Sequence, residues 1–207
     1  MVGTEASLAA ARPRPEPGRR VRYSNFGAAL LGEALSRHDG TSFEQVIHDR
    51  VTAPLGLLDT HVQRRPEFAD RYVQAHSRAR TPVPDWNLGA MPGAGALRST
   101  AQDLLEFAHL NLAPKDSTKP GPLIAAQQPR VKANRWVQIG LGWHLSPLRA
   151  TGQTVLWHNG ATAGSTSYLG LLPGHEAAVV VLGNSGRSVD ALGVRLLAGI
   201  EKALRAA

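Results

Sequence analysis

The hydrophobic period changes once along this chain, and that change limits its fold more than any other feature. Before residue 113 the apolar positions recur at helical spacing; after residue 135 they alternate or run on continuously, as in strands. Phe26, Leu30, Leu31, Ala34 and Leu35 mark a first helix, which Asp39-Gly40 ends. Ser42 opens a second, with Gln45 three residues on as in a capping box; Phe43, Val46, Ile47 and Val51 form its apolar face, and Pro54 stops it. Residues 55–95 are mostly irregular and rich in Pro and Gly. Ser99 or Thr100 caps a third helix bearing Leu104, Leu105 and Ala108, and residues 113–130 read as loop. Residues 140–145, 154–157, 166–172 and 177–182 then read as strands, with Pro173-Gly174 as the turn of an antiparallel hairpin. The unbroken apolar run from Ala178 to Leu182 is expected of a strand covered on both faces. Val189, Leu192, Leu196, Leu197, Ile200 and Leu204 line one face of a closing helix. Helices, then a strand meander, then a helix make an α+β order. One domain is expected over 1–207: an irregular lead-in (1–22), a helical and loop region (23–135), antiparallel strands (136–187) and the last helix (188–207).

Composition narrows the function mainly by exclusion. The net charge is +7, and arginine supplies 19 of the 23 basic residues. No basic stripe interleaved with aromatics and no zinc-finger spacing accompanies that charge, so a solvated basic surface is expected and not nucleic-acid binding. The absence of cysteine excludes disulfides and thiol chemistry. No run of 18 apolar residues is present, so no membrane span is expected, and residues 1–22 lack a signal-peptide pattern; the compartment stays open. There is no His-Glu-x-x-His and no Cys/His cluster, and Gly93-Ala94-Gly95 lacks the strand and third glycine of a dinucleotide loop. Neither metal nor cofactor is expected.

Two short motifs carry the chemistry. Tyr23-Ser24-Asn25 follows Pro17-Gly18 and precedes the apolar, glycine-bearing helix Phe26-Gly27-Ala28-Ala29-Leu30-Leu31-Gly32. His158-Asn159-Gly160-Ala161 lies late in the chain. Further pieces stand in order: Pro54-Leu55-Gly56-Leu57 with Asp59-Thr60; Ala94-Gly95-Ala96-Leu97-Arg98-Ser99-Thr100; Gly140-Leu141-Gly142-Trp143; and Pro173 with Val181-Leu182-Gly183-Asn184-Ser185. Together they resemble the serine β-lactamase and penicillin-binding-protein superfamily, of the class C β-lactamase, DD-peptidase and esterase type. Histidine at the head of the third motif is more similar to the D-aminopeptidase, DD-peptidase and esterase branches.

The resemblance implies a β-lactamase-like α+β fold and hydrolysis of an amide, peptide, β-lactam or ester through an acyl-serine. It implies that Tyr23 shares proton transfer with the motif lysine, and that Asn25 orients that lysine and the substrate amide. His158 would polarise Tyr23 or bind a substrate carboxylate. The Ala161 N–H would be one oxyanion donor. Ser24, Asn159 and Gly160 would border the substrate, a small molecule or peptide. Asn159 stands where threonine or serine is frequent, which weakens the expectation of carboxylate recognition.

The nucleophile itself is missing. None of the 12 serines has lysine three residues later; Ser77 and Ser146 have arginine there, which stays protonated and cannot act as a base. The chain is therefore expected to be the C-terminal portion of such a hydrolase and inactive alone. A non-catalytic ligand-binding remnant and a basic interaction protein on the same scaffold are the alternatives. The resemblance further implies that the 177–182 strand normally has neighbours on both sides. Without them it becomes an apolar edge through which the chain self-associates.

Overall fold

A computed structural model describes residues 21–112 and 121–206. Most of the expected lead-in, with Pro17-Gly18, lies outside the described residues. The first helix, α1 (Asn25–Asp39), begins where the Ser24 hydroxyl accepts a bond from the Gly27 N–H at 2.9 Å and ends at Gly40 in the left-handed region, φ 66°. Helix α2 (Phe43–Ile47) starts on Ser42, whose hydroxyl accepts from the Gln45 N–H at 3.2 Å. Only half of the expected capping box forms, because the Gln45 side chain donates forward to Asp49 at 2.7 Å. The helix then widens into a π turn over His48–Thr52 before Pro54.

The irregular stretch is tied down at two places. The 3-10 turn Pro92–Ala94 presses on α1: a Cβ at Gly93 would lie 2.7 Å from the Ala28 carbonyl oxygen, and one at Gly32 would lie 3.0 Å from the Phe43 ring. Helix α3 (Ala101–Leu112) contributes buried Asp103, which accepts from the Asp59 N–H at 2.9 Å and the Thr60 hydroxyl at 2.7 Å. Of the two candidate caps of α3 it is Thr100 that serves, accepting from the Asp103 N–H at 3.2 Å. Residues 121–127, expected as loop, form α4 (Gly121–Gln127), whose Pro122 sits in the first turn, where a missing N–H costs nothing.

Six antiparallel strands follow in sequential order: β1 (Val131–Lys132), β2 (Gln138–Ile139), β3 (His144–Pro147), β4 (Thr154–Ala161), β5 (Thr166–Leu172) and β6 (Ala177–Gly183). Of the strand read over 140–145 only the end falls in β3; residues 140–143 form the turn that joins β2 to β3, with Gly142 at φ 82°. Strand β4 runs four residues past the expected end and carries the whole His158 motif.

The sheet is covered on both faces, which explains the continuous apolar runs. On one face, Tyr168, Leu172, Val155 and Val179 pack with Leu197 of α5 (Asp190–Ala206). On the other, Leu156, Leu171 and Trp143 pack with Ala108 of α3. Tyr168 and Leu172 belong to one face of β5 and Leu171 to the other, as a two-residue period requires.

Two expectations need correction. The α5 stripe is split: Leu197, Gly193 and Glu201 are buried, but Leu192, Leu196 and Leu204 are 43–47% exposed. Strand β6 pairs only with β5 among the described residues, in line with the expected edge, but its apolar run is not covered throughout: only Val179 is fully buried, and Leu182 is 44% exposed. Just past its end, His76 bridges to Ser185, its N–H donating to the Asn184 carbonyl at 3.0 Å.

Candidate functional site

Both motifs arrive at one place. Tyr23 stands in the extended residues before α1, 71% exposed, and its ring lies 6.3 Å from that of His158 on β4. Ser24 is occupied as the cap of α1, and Asn25 opens that helix at the surface.

The backbone of the His158 motif is open on one side. Strand β3 pairs with β4 only from Thr154 to Trp157, so residues 158–161 overhang it and pair with β5 alone. At the two ends of β4 the Leu148 N–H donates to Gln153 and the Thr162 N–H to Ser165. Antiparallel ladders alternate bonded and non-bonded pairs. Even-numbered residues of β4 therefore bond to β5, and odd-numbered ones turn their N–H and C=O toward β3. Beyond Trp157 those odd groups belong to Asn159 and Ala161, and no strand pairs with them on that side among the described residues.

The side chains around this edge are partly committed. A Cβ at Gly160 would come within 2.8 Å of the Ser167 hydroxyl across the β4–β5 pair, so a larger residue there would have to turn that hydroxyl aside. The Asn159 amide donates to the Asp190 carboxylate at 2.9 Å, joining the motif to the first turn of α5. His158 stacks on His144 of β3 at 5.2 Å between ring centres, and His144 stacks on Trp157 at 4.5 Å. The Trp157 indole N–H donates to the Ser146 hydroxyl at 3.0 Å.

Burial, and then the neighbouring His158, lower the pKa of His144, whose Nδ1 is enclosed with no hydrogen-bond partner among the described residues. Burial also pushes the Tyr168 phenol up to about 12, with Asp190 adding to the rise. Two shallow cavities of about 300 and 290 Å³ lie away from these residues, one at the far end of β4 and β5 beside Gln127, Thr154 and Pro173, the other beside Arg64, Tyr72 and Asp85. Among the described residues no cluster of three or more His, Asp or Glu side chains could hold a metal ion.

His144, Ser167 and Asp190 did not emerge from the sequence. His144 directly follows the Gly140-Leu141-Gly142-Trp143 piece, but its place beside His158 depends on strand register. Asp190 carries only the signal of an acid at a helix start.

The arrangement can present a phenol, an imidazole and outward backbone donors to an extended ligand along β4. The family model described as Beta-lactamase matches residues 3–200. Penicillin-binding protein 4 of Amycolatopsis lactamdurans is 29% identical over 187 residues, covering 82% of this chain and 49% of that protein. The D-alanyl-D-alanine-carboxypeptidase/endopeptidase AmpH of Escherichia coli (strain K12) is 31% identical over 100 residues, 48% of this chain and 25% of that protein. This chain thus spans half or less of these curated relatives. A class C β-lactamase from Rhodobacter sphaeroides superposes with a TM-score of 0.82 at 22% identity, covering 97% of this chain and 65% of that one. A β-lactamase from Sulfitobacter sp. EE-36 gives 0.82 at 23%, covering 100% and 65%. These likenesses establish the shared fold.

Proposed function

This chain belongs to the beta-lactamase family, a family of serine hydrolases, and from that premise we propose that it carries the proton-transfer and substrate-edge half of an acyl-hydrolysis site. The observation that carries the reading is the overhang of β4: outward N–H and C=O groups at Asn159 and Ala161, with Tyr23 and His158 beside them. A substrate acyl group lies along this edge with its carbonyl oxygen on the Ala161 N–H, which stabilises charge as a serine oxygen adds to the carbonyl carbon. The serine proton passes through a lysine–Tyr23 pair to the leaving group as the old bond breaks, and water then repeats the sequence to release the acid. Asn25 orients the lysine and His158 holds the phenol. Gly160 and Ser24 border the substrate.

The serine and lysine come from polypeptide outside these 207 residues, since no Ser-x-x-Lys occurs within them. The substrate class is an amide, peptide, β-lactam or ester. Alone, the chain binds such ligands without turning them over. The same absence of a nucleophile supports a second reading, a ligand-binding remnant with no catalytic partner.

A complementation experiment tests the first reading. Restored Ser-x-x-Lys polypeptide should yield esterase or amidase activity that Tyr23→Phe lowers by ~10²–10⁴-fold, the range of general acid–base groups. The chain alone should not label with a fluorescent penicillin or a fluorophosphonate. Labelling of the isolated chain that a single serine substitution abolishes would overturn the proposal. Restored activity indifferent to Tyr23→Phe would remove Tyr23 from it, and no activity on restoration would leave the remnant.

A further inference from the structure

The β1–β2 hairpin takes no part in the site described above, yet it gathers uncompensated charge and an exposed aromatic ring. We propose that it is a docking element through which the chain binds the surface of an anionic phospholipid bilayer.

From Ser117 to His175 the chain has no Asp or Glu, while Arg130, Lys132, Arg135 and Arg149 fall within that stretch. Strands β1 to β5 lie inside it. Among the described residues these four cations enter no ion pair. Lys132 and Arg135 belong to the hairpin, and Arg130 stands at its base, its N–H donating to the Ile139 carbonyl at 2.8 Å. Every residue from Arg130 to Trp136 is exposed, and Trp136 is 61% exposed.

The tip has a built shape. The Asn134 carboxamide oxygen accepts from the Trp136 and Val137 N–H groups at 2.8 and 2.9 Å, and the Ala133 N–H donates to the Val137 carbonyl at 2.9 Å. The Arg135 guanidinium lies 5.1 Å from the centre of the Trp136 ring. An indole with a cation against it matches a bilayer surface: the ring sits at headgroup level, where tryptophan concentrates, and the guanidinium meets phosphate.

A bilayer suits this element better than a macromolecule in solution. A stable protein interface needs about 800 Å² from each partner and an apolar centre, and the large apolar side chains exposed on the hairpin are only Trp136 and Val131. Single-stranded nucleic acid stacks successive bases on several aromatics, and the hairpin has one. The topology also leaves the candidate site free. Strand β2 begins at Gln138, opposite Leu145, so the tip lies beside the Pro147 end of β3. Pro147 pairs with Thr154, the first residue of β4, and Arg149 lies in the turn between them. Tyr23 and His158 stand toward the other end of β4, so docking by the tip keeps them turned away from the lipid.

The test floats the whole 207-residue chain with vesicles through a density gradient, so that aggregated protein does not count as bound. Vesicles of phosphatidylcholine alone should leave the chain behind. Vesicles with about 30% phosphatidylglycerol should carry it, less so as salt rises from about 0.1 to about 0.5 M. Lys132→Gln with Arg135→Gln should weaken binding about 25-fold, at about fivefold per cation. Arg187→Gln with Arg195→Gln removes the same charge from exposed positions elsewhere and should weaken it by less than about threefold. Brominated lipid should quench tryptophan emission in the unaltered chain and not in Trp136→Phe. No flotation with the anionic vesicles, or equal flotation with the neutral ones, would overturn the inference. So would equal losses in the two double variants, which would show adsorption through net charge alone. A single-stranded oligonucleotide that displaces the vesicles from the hairpin and binds it more tightly would also overturn it, making the partner a nucleic acid.

Discussion

Helix α5 lies against the sheet at a distance that one residue sets, and enlarging that residue tests the packing argument directly. A Cβ added at Gly193 would lie 2.2, 2.6 and 2.7 Å from Cδ1, Cε1 and Cγ of Tyr168. Carbon atoms normally meet at about 3.5–4.0 Å, so ring and helix would have to part by more than about 1 Å. The ring has nowhere to go: it is 2% exposed, and a Cβ at Gly170 would already be 2.8 Å from it on the sheet side. The helix must lift instead, loosening Leu197 from Leu172 and Val179. Overpacking of this kind costs about 1–3 kcal/mol or more, against about 1 kcal/mol gained when alanine replaces glycine within a helix. Gly193→Ala should therefore destabilise the chain by about 1–2 kcal/mol net. Gly199→Ala, on the same helix with nothing within 4 Å of its added Cβ, should keep the propensity gain and stabilise it by about 0.5–1 kcal/mol. Urea unfolding measures both: with a slope of about 2 kcal/mol/M, the midpoint falls by ~0.5–1 M in the first variant and rises by ~0.3–0.5 M in the second. The lifted helix should also shift the Asn159 side-chain amide resonance, because Asp190 moves with it. A Gly193→Ala midpoint at or above that of the unaltered chain, with unchanged slope, would refute the close-packing account.

Two further outcomes are expected. His61 and His144 both have pKa values lowered from 6.5, chiefly by burial, so the unfolded chain takes up protons before the folded one does. Their contribution to stability is complete above pH 6.5 and is lost as pH falls from there toward the folded values, so urea midpoints should drop between pH 7 and pH 5, and less so in His144→Phe. Strand β6 should make the chain self-associate, read as a concentration-dependent mass by light scattering, and Leu182→Lys should shift it toward monomer; a concentration-independent monomer in the unaltered chain would remove that expectation.

The elements of the fold were legible because each has a local cause. Ser24, Gly40, Ser42 and Thr100 are caps that act within three or four residues of chain, and β4 to β6 declare themselves by β-branched and apolar runs. The pieces that were misread depend on distant partners. Residues 121–127 form a short helix whose Gln127 side chain donates to Asn111, 16 positions away, which no local pattern announces. The overhang of β4 beyond β3 is a matter of register, and register is set by pairing rather than by the period of either strand.

The same distinction separates the two halves of the candidate site. Tyr23 and His158 could be named because short motifs carry them, yet neither motif contains the residues that decide how they behave. His144 reaches His158 only because β3 ends opposite Trp157, and Asp190 reaches Asn159 only because α5 starts at the open end of β4. Chemistry that runs along the chain is readable from the chain; chemistry that crosses strands waits for the register. A one-residue slip of β3 would take His144 from its place opposite Trp157, although every motif quoted above would be unchanged. For this chain, then, family membership follows from the motifs, whereas the surroundings of His158 and Asn159 are set by His144 and Asp190, residues that no motif includes.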